Sequence, residues 1–247
     1  MLVDSFRPGR LNTIVSLAFV LVLAAILLFP LPPHLIAEVF KISTAAMEPT
    51  LQGPSRGTPD HVIIDRLIYW FSPPRRGDLA VFRTTCIVGI SGEGPSFVKR
   101  VIGLPGDQIQ MIDGLLHING VAVKRERTED YIDNDEGPRP IRVKRWRETL
   151  PNGISYHTLD RIENSDYDNT PRYVVPPGHF FVMGDNRDNS ADSRVPPLSG
   201  GVGYVPFENI IGRAQIIFFS LGGGAHAWQV WRWPLSLRWS RLFTFVR

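Results

Sequence analysis

The sequence has little that would cross-link it or hold a nucleic acid. It contains a single cysteine, Cys86, so no disulfide can form within the chain. Its 27 basic and 24 acidic residues leave a formal net charge of only +3. Zinc-finger spacing and glycine-rich phosphate loops are absent. These features argue against a nucleic-acid partner and against a metal site of recognisable spacing.

Long charge-free apolar runs are also scarce, and one stands out. Residues 13–31 are almost continuously apolar and carry no charge, which is close to the length that spans a bilayer as a helix. We therefore predict a transmembrane helix over residues 12–31. A cleaved export signal is the competing interpretation, but Pro30, Pro32 and Pro33 stand where a small-x-small cleavage site would be expected.

The charges beside this run predict its orientation. Arg7 and Arg10 lie in the N-terminal tail, residues 1–11, and few charges follow the run closely. The positive-inside rule then places the tail in the cytoplasm and the remaining chain on the outer, periplasmic or extracellular, face of the cytoplasmic membrane.

Residues 37–220 show the pattern of short strands separated by turns. The abundance of Gly and Pro, together with short runs rich in Val, Ile and Phe, predicts an all-β, mostly antiparallel domain. Within residues 107–176 we expect a β-meander, marked by the hairpin dipeptides Asp113-Gly114 and Asn119-Gly120, and an inserted lobe. Residues 124–172 are polar and charged, which favours an irregular lobe or long loops.

The C-terminal tail, residues 221–247, has a different composition. Trp and Phe side chains alternate there with arginines, after three consecutive glycines. Aromatic rings beside arginines are typical of the headgroup region of a bilayer, so this tail is expected to touch the membrane surface. An ordinary packed C-terminal segment is the alternative.

Two segments contain residues suited to acid–base chemistry. Lys99 lies in an apolar strand run, where burial would favour its neutral form and allow it to take a proton from a hydroxyl. In residues 184–194, Ser190 could orient such a lysine, and Asp192 could pair with Arg194. Each feature has a plainer explanation: a strand lysine usually faces solvent, and an Asp/Asn/Ser-rich segment is usually a turn.

Together these segments resemble the bacterial type I signal peptidases, the Ser/Lys dyad leader peptidases. The resemblance rests on four segments that occur in family order behind an apolar N-terminal run: residues 46–51, 76–82, 99–107 and 184–194. It implies a mostly antiparallel β-structure with a groove for the substrate strand, and it is weak over residues 124–172 and the C-terminal tail.

The resemblance also implies roles for individual residues. Lys99 would be the general base, supported by Ser190, and Asp192 with Arg194 would form a structural pair. The hydroxyl of Thr44 would help to form the oxyanion hole, while Met47 and Pro49 would shape the bend and the substrate groove. Signal peptides with small side chains one and three positions before the cut would bind as an added strand. No metal or organic cofactor is implied.

One position departs from the family pattern: Ala46 stands where the nucleophilic serine is expected. Alanine has no group that can attack a carbonyl, so the ordinary mechanism should be absent. Three explanations remain open: an introduced Ser→Ala change, a natural variant that binds without cutting, or a nucleophile displaced to Ser43 or Thr44. Thr44, but not Ser43, would share the face of position 46 in a regular strand.

Two functions therefore follow as expectations. The first is a membrane-anchored serine endopeptidase that removes signal peptides from exported preproteins and is inactive as written because of Ala46. The second is a non-catalytic protein that binds signal peptides or regulates secretion. Preprotein signal peptides, membrane lipid and the secretion translocon are the expected partners.

Overall fold

The strands of this protein form three antiparallel sheets. The computed structural model describes residues 37–54, 58–84, 94–133, 140–222, 231 and 233–246. In chain order the described strands are β1 (Ala37–Lys41), β2 (Thr58–Asp65), β3 (Leu79–Arg83), β4 (Ser96–Gly103), β5 (Gln108–Ile112), β6 (Leu115–Ile118), β7 (Val121–Ala122), β8 (Lys124–Arg127), β9 (Tyr131–Asp133), β10 (Ile141–Thr149), β11 (Ser155–Asp160), β12 (Tyr173–Val174), β13 (His179–Met183), β14 (Val205–Pro206), β15 (Ile210–Leu221) and β16 (Thr244–Phe245).

Eight of these strands form the main sheet. Its order is β1-β2-β15-β3-β4-β13-β14, with β16 paired to β15. All of its strand pairs are antiparallel. A second sheet joins β8, β9, β10 and β11, and a third has the order β12-β5-β6-β7. The prediction of an all-β, mostly antiparallel fold is confirmed for the described residues.

The described helices are short. They are α1 (Ile68–Phe71) and α2 (Trp233–Ser236), each of one turn. Within the described ranges, no helix has the length and apolar character needed to cross a membrane. The transmembrane helix predicted over residues 12–31, and the tail that precedes it, lie outside those ranges.

The two hairpin dipeptides form the turns expected of them. Asp113 and Gly114 join β5 to β6, Asn119 and Gly120 join β6 to β7, and all four residues have positive φ angles of 49° to 79°. Positive φ at both central residues matches the twist of an antiparallel hairpin, which is why Asn-Gly and Asp-Gly are favoured there. These two turns connect β5, β6 and β7, which pair antiparallel in chain order.

Residues 124–172, for which an inserted lobe or long loops were expected, contain regular strands. Four strands, β8 to β11, lie in this segment, and β10 pairs along six residues with β11 and along four with β8. The sequence did not reveal them because β10 contains four basic residues, and most of its side chains are exposed or half-buried. A cation of β8 is stabilised by stacking, since the Arg125 guanidinium lies 4.1 Å from the centroid of the Trp146 ring.

The described part of the C-terminal tail packs on the main sheet. Thr244 and Phe245 pair with Ile217 and Ile216 of β15, and the ring of Trp233 lies 5.1 Å from that of Phe219. The tail nevertheless leaves several rings exposed: Trp231, Trp239, Phe243 and Phe245. The tail therefore packs on the sheet, as an ordinary C-terminal segment would, and also exposes aromatic rings, as a segment at a membrane surface would.

Candidate active site

The backbone around Ala46 is a short turn held in place from a distant part of the chain. After β1 the chain is extended at Thr44, with φ −140° and ψ 159°, and then forms a 3₁₀ turn over Ala45–Met47. The amide of Asn186 donates to the carbonyl of Ala46 at 3.1 Å, and its side-chain Nδ2 donates to the carbonyl of Ala45 at 3.2 Å. Asn186 thereby fixes the segment that carries position 46.

A glycine brings this turn against Ser190. A Cβ atom at Gly184 would lie 2.6 Å from the carbonyl oxygen of Ala46 and 2.2 Å from Oγ of Ser190. Contacts that close do not occur between real side chains, so only glycine allows the two segments to approach. Position 46 and Ser190 are therefore neighbours across the backbone of Gly184.

Lys99 points into the protein from β4, where six consecutive residues are buried. Only 3% of Lys99 is exposed, and its Nζ donates to Oγ of Ser190 at 2.8 Å. Burial is the largest cause that lowers the pKa of Lys99, to about 8 from 10.5, and it outweighs the opposing effect of the Asp192 carboxylate. The strand thus holds a lysine that loses its proton near neutral pH beside the position-46 turn.

Asp192 and Arg194 form a buried pair behind this lysine. Nε of Arg194 donates to Oδ1 of Asp192 and its NH2 group donates to Oδ2, each at 2.9 Å. Oδ2 of Asp192 also accepts the amide of Gly184 at 3.0 Å. Burial alone would raise the pKa of Asp192, but Arg194 and Lys99 hold it below its usual value. The pair fixes Gly184 and stays ionised beside Lys99.

A second buried pair was not recognised in the sequence. Arg100 donates through Nε and NH2 to the two oxygens of Asp185 at 2.8 and 2.7 Å, and the hydroxyl of Thr50 donates to the same carboxylate at 2.6 Å. The guanidinium of Arg100 also lies 4.1 Å from the centroid of the Tyr156 ring. This pair links β4 to the turn after Ala46.

Some signal for the second pair is present in the sequence. Arg100 follows Lys99 in an apolar strand, and an arginine at such a position needs a buried anion. The identity of that anion could not be read, because Asp185 lies 85 positions away among several other carboxylates. Asn186 gave no signal, since its partners in the position-46 turn, the carbonyls of Ala45 and Ala46, are backbone groups that every residue carries.

A small recess lies between the two chain segments that carry Thr44 and Lys99. It has a volume of about 20 Å³ and is lined by Phe40, Ile42, Ser43, Thr44, Met47, Ser96, Phe97, Val98 and Lys99. β1 and β4 are not neighbours in the sheet, so the recess lies between two segments that no strand pairing joins. This volume suits a water molecule or a methyl group.

The structure thus brings most of the predicted site residues together, with one exception. Thr44, Met47 and Lys99 share the recess, while Ser190, Asp192 and Arg194 lie behind Lys99. Pro49 does not line the recess and instead borders a separate cavity with Thr50. Among the residues that the structure describes, no group of His, Cys, Asp and Glu side chains is arranged to hold a metal ion.

The ionisation of Lys99 leads to a stability prediction. Between pH 8 and 10.5 the unfolded chain keeps a proton on Lys99 that the folded chain has lost, so stability rises with pH in this window. Below pH 8 the folded protein bears the full cost of the buried ammonium, about 3 kcal/mol for a shift of this size. We expect Lys99→Met to be more stable than the unaltered chain at pH 7, and this advantage to vanish towards pH 10.5.

Urea unfolding of both proteins from pH 7 to 10.5 measures this difference. Other groups that titrate in this range, such as the buried tyrosines, affect both proteins alike and cancel. If the difference in stability between the two proteins stayed constant from pH 7 to 10.5, the pKa of Lys99 would not be lowered in the folded protein.

Comparison with known proteins gives the family of the chain. Residues 11–219 match the family described as "Signal peptidase, peptidase S26", and the chain belongs to that family. It is 35% identical over 231 residues to the signal peptidase I of Rickettsia conorii (strain ATCC VR-613 / Malish 7), covering 83% of this chain and 78% of that protein.

Two further matches are shorter. The signal peptidase I of Rickettsia typhi (strain ATCC VR-144 / Wilmington) is 42% identical over 153 residues, which cover 60% of this chain and 53% of that protein. This match spans about half the length of that relative. The crystal structure of a signal peptidase I from Enterococcus faecalis V583 matches with 25% identity and a TM-score of 0.31, covering 57% of this chain and 95% of that chain.

Proposed function

We propose that this protein is built as a membrane-anchored serine endopeptidase that removes signal peptides from exported preproteins, and that Ala46 leaves it able to bind them but not to cut them. The observation that carries this proposal is the hydrogen bond of 2.8 Å between Nζ of the buried Lys99 and Oγ of Ser190. A lysine with a pKa of about 8 is suited to act as a general base near neutral pH.

The proposed chemistry requires a serine hydroxyl at position 46. Neutral Lys99 takes the proton of that hydroxyl while its oxygen attacks the scissile carbonyl, and the hydroxyl of Thr44 with a backbone N–H stabilises the oxyanion. Lys99 then gives its proton to the leaving amine, and an acyl-enzyme remains. A water molecule, deprotonated by Lys99, hydrolyses this ester and restores the serine.

The surrounding residues support the base and the substrate strand. Ser190 accepts a hydrogen bond from Lys99 and fixes its direction, while Asp192 and Arg194 hold the backbone of Gly184. We propose that the signal peptide lies as an added strand between the segments of Thr44 and Lys99. A recess of about 20 Å³ accepts a methyl group and little more, which agrees with small side chains before the cut.

The membrane is the second proposed partner. Residues 12–31 have the length and apolar character of a transmembrane anchor, and exposed Trp and Phe rings of the C-terminal tail suit the headgroup region. We propose a single-pass protein with its N-terminus in the cytoplasm and its β-domain on the outer face of the cytoplasmic membrane, where the translocon delivers preproteins.

A non-catalytic role is the second candidate, and Ala46 itself favours it. Its methyl group cannot attack a carbonyl, yet Lys99, Ser190 and the recess are all in place. Such a site would hold a signal peptide without releasing the mature protein, as expected of a receptor or regulator of secretion.

The unaltered chain tests where the nucleophile lies. We expect it to bind a preprotein whose signal peptide ends in Ala-x-Ala and to leave that preprotein uncut. The reason is that neither the Ser43 nor the Thr44 hydroxyl takes the place of a serine hydroxyl at position 46. Thr44→Val, which keeps the shape of the side chain, should leave this result unchanged. The measurement is crosslinking of a labelled preprotein followed by gel analysis of both bound and cleaved forms.

The competing outcome is equally clear. Cleavage by the unaltered chain that disappears in Thr44→Val would place the nucleophile at Thr44. If the chain neither crosslinks to the preprotein nor cleaves it, preproteins are not its substrate.

A further inference from the structure

A second cavity, of about 320 Å³, lies on the other side of the position-46 turn. Its walls come from β11, from Pro49 and Thr50, and from the C-terminal strap, by which we mean residues 239–246. The polar side chains that line it include His157, Ser240, Arg241 and Thr244. Among the described residues no carboxylate lines it, so the cavity is a polar space with one guanidinium and several hydroxyl groups.

Arg241 supplies the first anion-binding group of this cavity. Its NH2 group donates to the carbonyl of Thr50 at 2.9 Å and to the buried carboxylate of Asp60 at 2.5 Å. Its Nε is buried and has no hydrogen-bond partner among the described residues. Both contacts use the NH2 group, so Asp60 and Thr50 position the guanidinium, and of its five N–H donors the two on NH1 remain for an acceptor in the cavity.

His157 supplies the second group. Its ring makes no hydrogen bond to any residue in the described part of the chain. It lies directly opposite Arg147 on the same face of the β10–β11 pair, and burial, followed by Arg145 and Arg147, lowers its pKa. Asp185 acts on it in the opposite direction but does not reverse the shift. The ring is therefore neutral near pH 7 and offers one N–H donor to an anion in the cavity.

The rim of the cavity is apolar and aromatic. Phe245 lines the cavity and is still 67% exposed, and on the same strap Phe243 and Trp239 are 66% and 64% exposed. Exposed rings of this kind favour the boundary between headgroups and acyl chains. The occupant that fits both parts is an amphiphile with an anionic head and an apolar body.

We propose that this cavity binds the phosphate of an anionic phospholipid, held by Arg241 and His157, with the acyl chains against the aromatic rings of the strap. The inference rests on the proposed membrane location of the protein but needs no catalytic activity. A bare phosphate has only five heavy atoms and would leave most of the cavity empty, whereas a glycerophosphate headgroup would fill more of it.

The test uses the full chain with Ala46 unchanged, solubilised in a neutral detergent. Native mass spectrometry measures the affinity for phosphatidylglycerol, with diacylglycerol as the control lipid that has the same acyl chains and lacks the phosphate. We expect the first lipid to bind about tenfold more tightly, as loss of a charge-assisted hydrogen bond predicts. His157→Gln and Arg241→Gln should each abolish this preference, while Arg142→Gln, an exposed arginine outside the cavity, should keep it.

Different results would overturn the proposal in identifiable ways. His157→Gln guards against a trivial loss of folding in Arg241→Gln, which removes the guanidinium that pairs with the buried Asp60. Equal affinity for the two lipids, or a preference that survives His157→Gln, would exclude the headgroup site. Full displacement of phosphatidylglycerol by millimolar inorganic phosphate would show that the cavity takes a free anion instead. None of these outcomes depends on whether position 46 supports cleavage.

Discussion

Ala46→Ser should convert this protein into an active signal peptidase. Loss of the nucleophile in a serine protease lowers the rate by roughly 10⁴- to 10⁶-fold, and we expect its return to give a gain of that order. The reason is the arrangement around the turn: Lys99 is buried and donates to Ser190, and Asn186 donates to the carbonyl of Ala46. With a pKa of about 8, about one tenth of Lys99 is already neutral at pH 7.

The measurement is cleavage of a preprotein by the variant and by the unaltered chain in the same detergent. Ala45→Ser is the matched control, because it adds the same hydroxyl to the same turn one residue away. We expect no activity from that control, and none from Ala46→Ser combined with Lys99→Met. Equal activity of both serine variants would mean that the hydroxyl need not lie at position 46.

Asp185→Ala should destabilise the fold by about 3 to 5 kcal/mol, the usual result of removing the charge partner of a fully buried cation. The side chains of Arg100 and Asp185 are at most 1% exposed. The Asp185 carboxylate also accepts a hydrogen bond from the hydroxyl of Thr50. For a domain of this size, such a loss lowers the thermal midpoint by roughly 10 °C. Differential scanning fluorimetry of the two proteins measures the shift.

Asp160→Ala is the matched control for this change. Asp160 pairs with Arg125 at 2.8 Å, but that pair is partly exposed and Arg125 also stacks on Trp146. Water can therefore replace the lost carboxylate, and the cost should be about 1 kcal/mol or less. A double variant, Asp185→Leu with Arg100→Met, should recover much of the stability that Asp185→Ala loses, since no charge is left unpaired. Equal losses of stability in Asp185→Ala and Asp160→Ala would contradict the conclusion that the buried pair matters more than the partly exposed pair.

Local features of the fold were readable from the sequence because they depend on neighbouring residues. Asp113-Gly114 and Asn119-Gly120 fix two turns through their backbone preferences, and the apolar run around Lys99 fixes a buried strand. The segment from 124 to 172 resisted prediction because its strands are stabilised by cross-strand pairs and by stacking of Arg125 on Trp146. Such contacts depend on register, which composition does not reveal.

The candidate site also contains residues that the sequence indicates and contacts that it does not. Lys99, Ser190, Asp192 and Arg194 could be proposed from residue type and from resemblance, and the structure places them in contact. The contacts that position them were out of reach: Arg100 with Asp185, and Asn186 with the carbonyls of Ala45 and Ala46. These join segments far apart in sequence, so only the folded chain selects one partner among many of the same type.

The pH dependence of cleavage by Ala46→Ser tests the central claim most directly, which is that Lys99 is a base ready to activate a hydroxyl at position 46. Since only the neutral amine can accept the proton, kcat/KM should rise about tenfold per pH unit below the pKa and level off above about pH 8. A rate that is flat from pH 6 to 9, or that follows an imidazole with a midpoint near its ordinary value of about 6.5, would contradict the account.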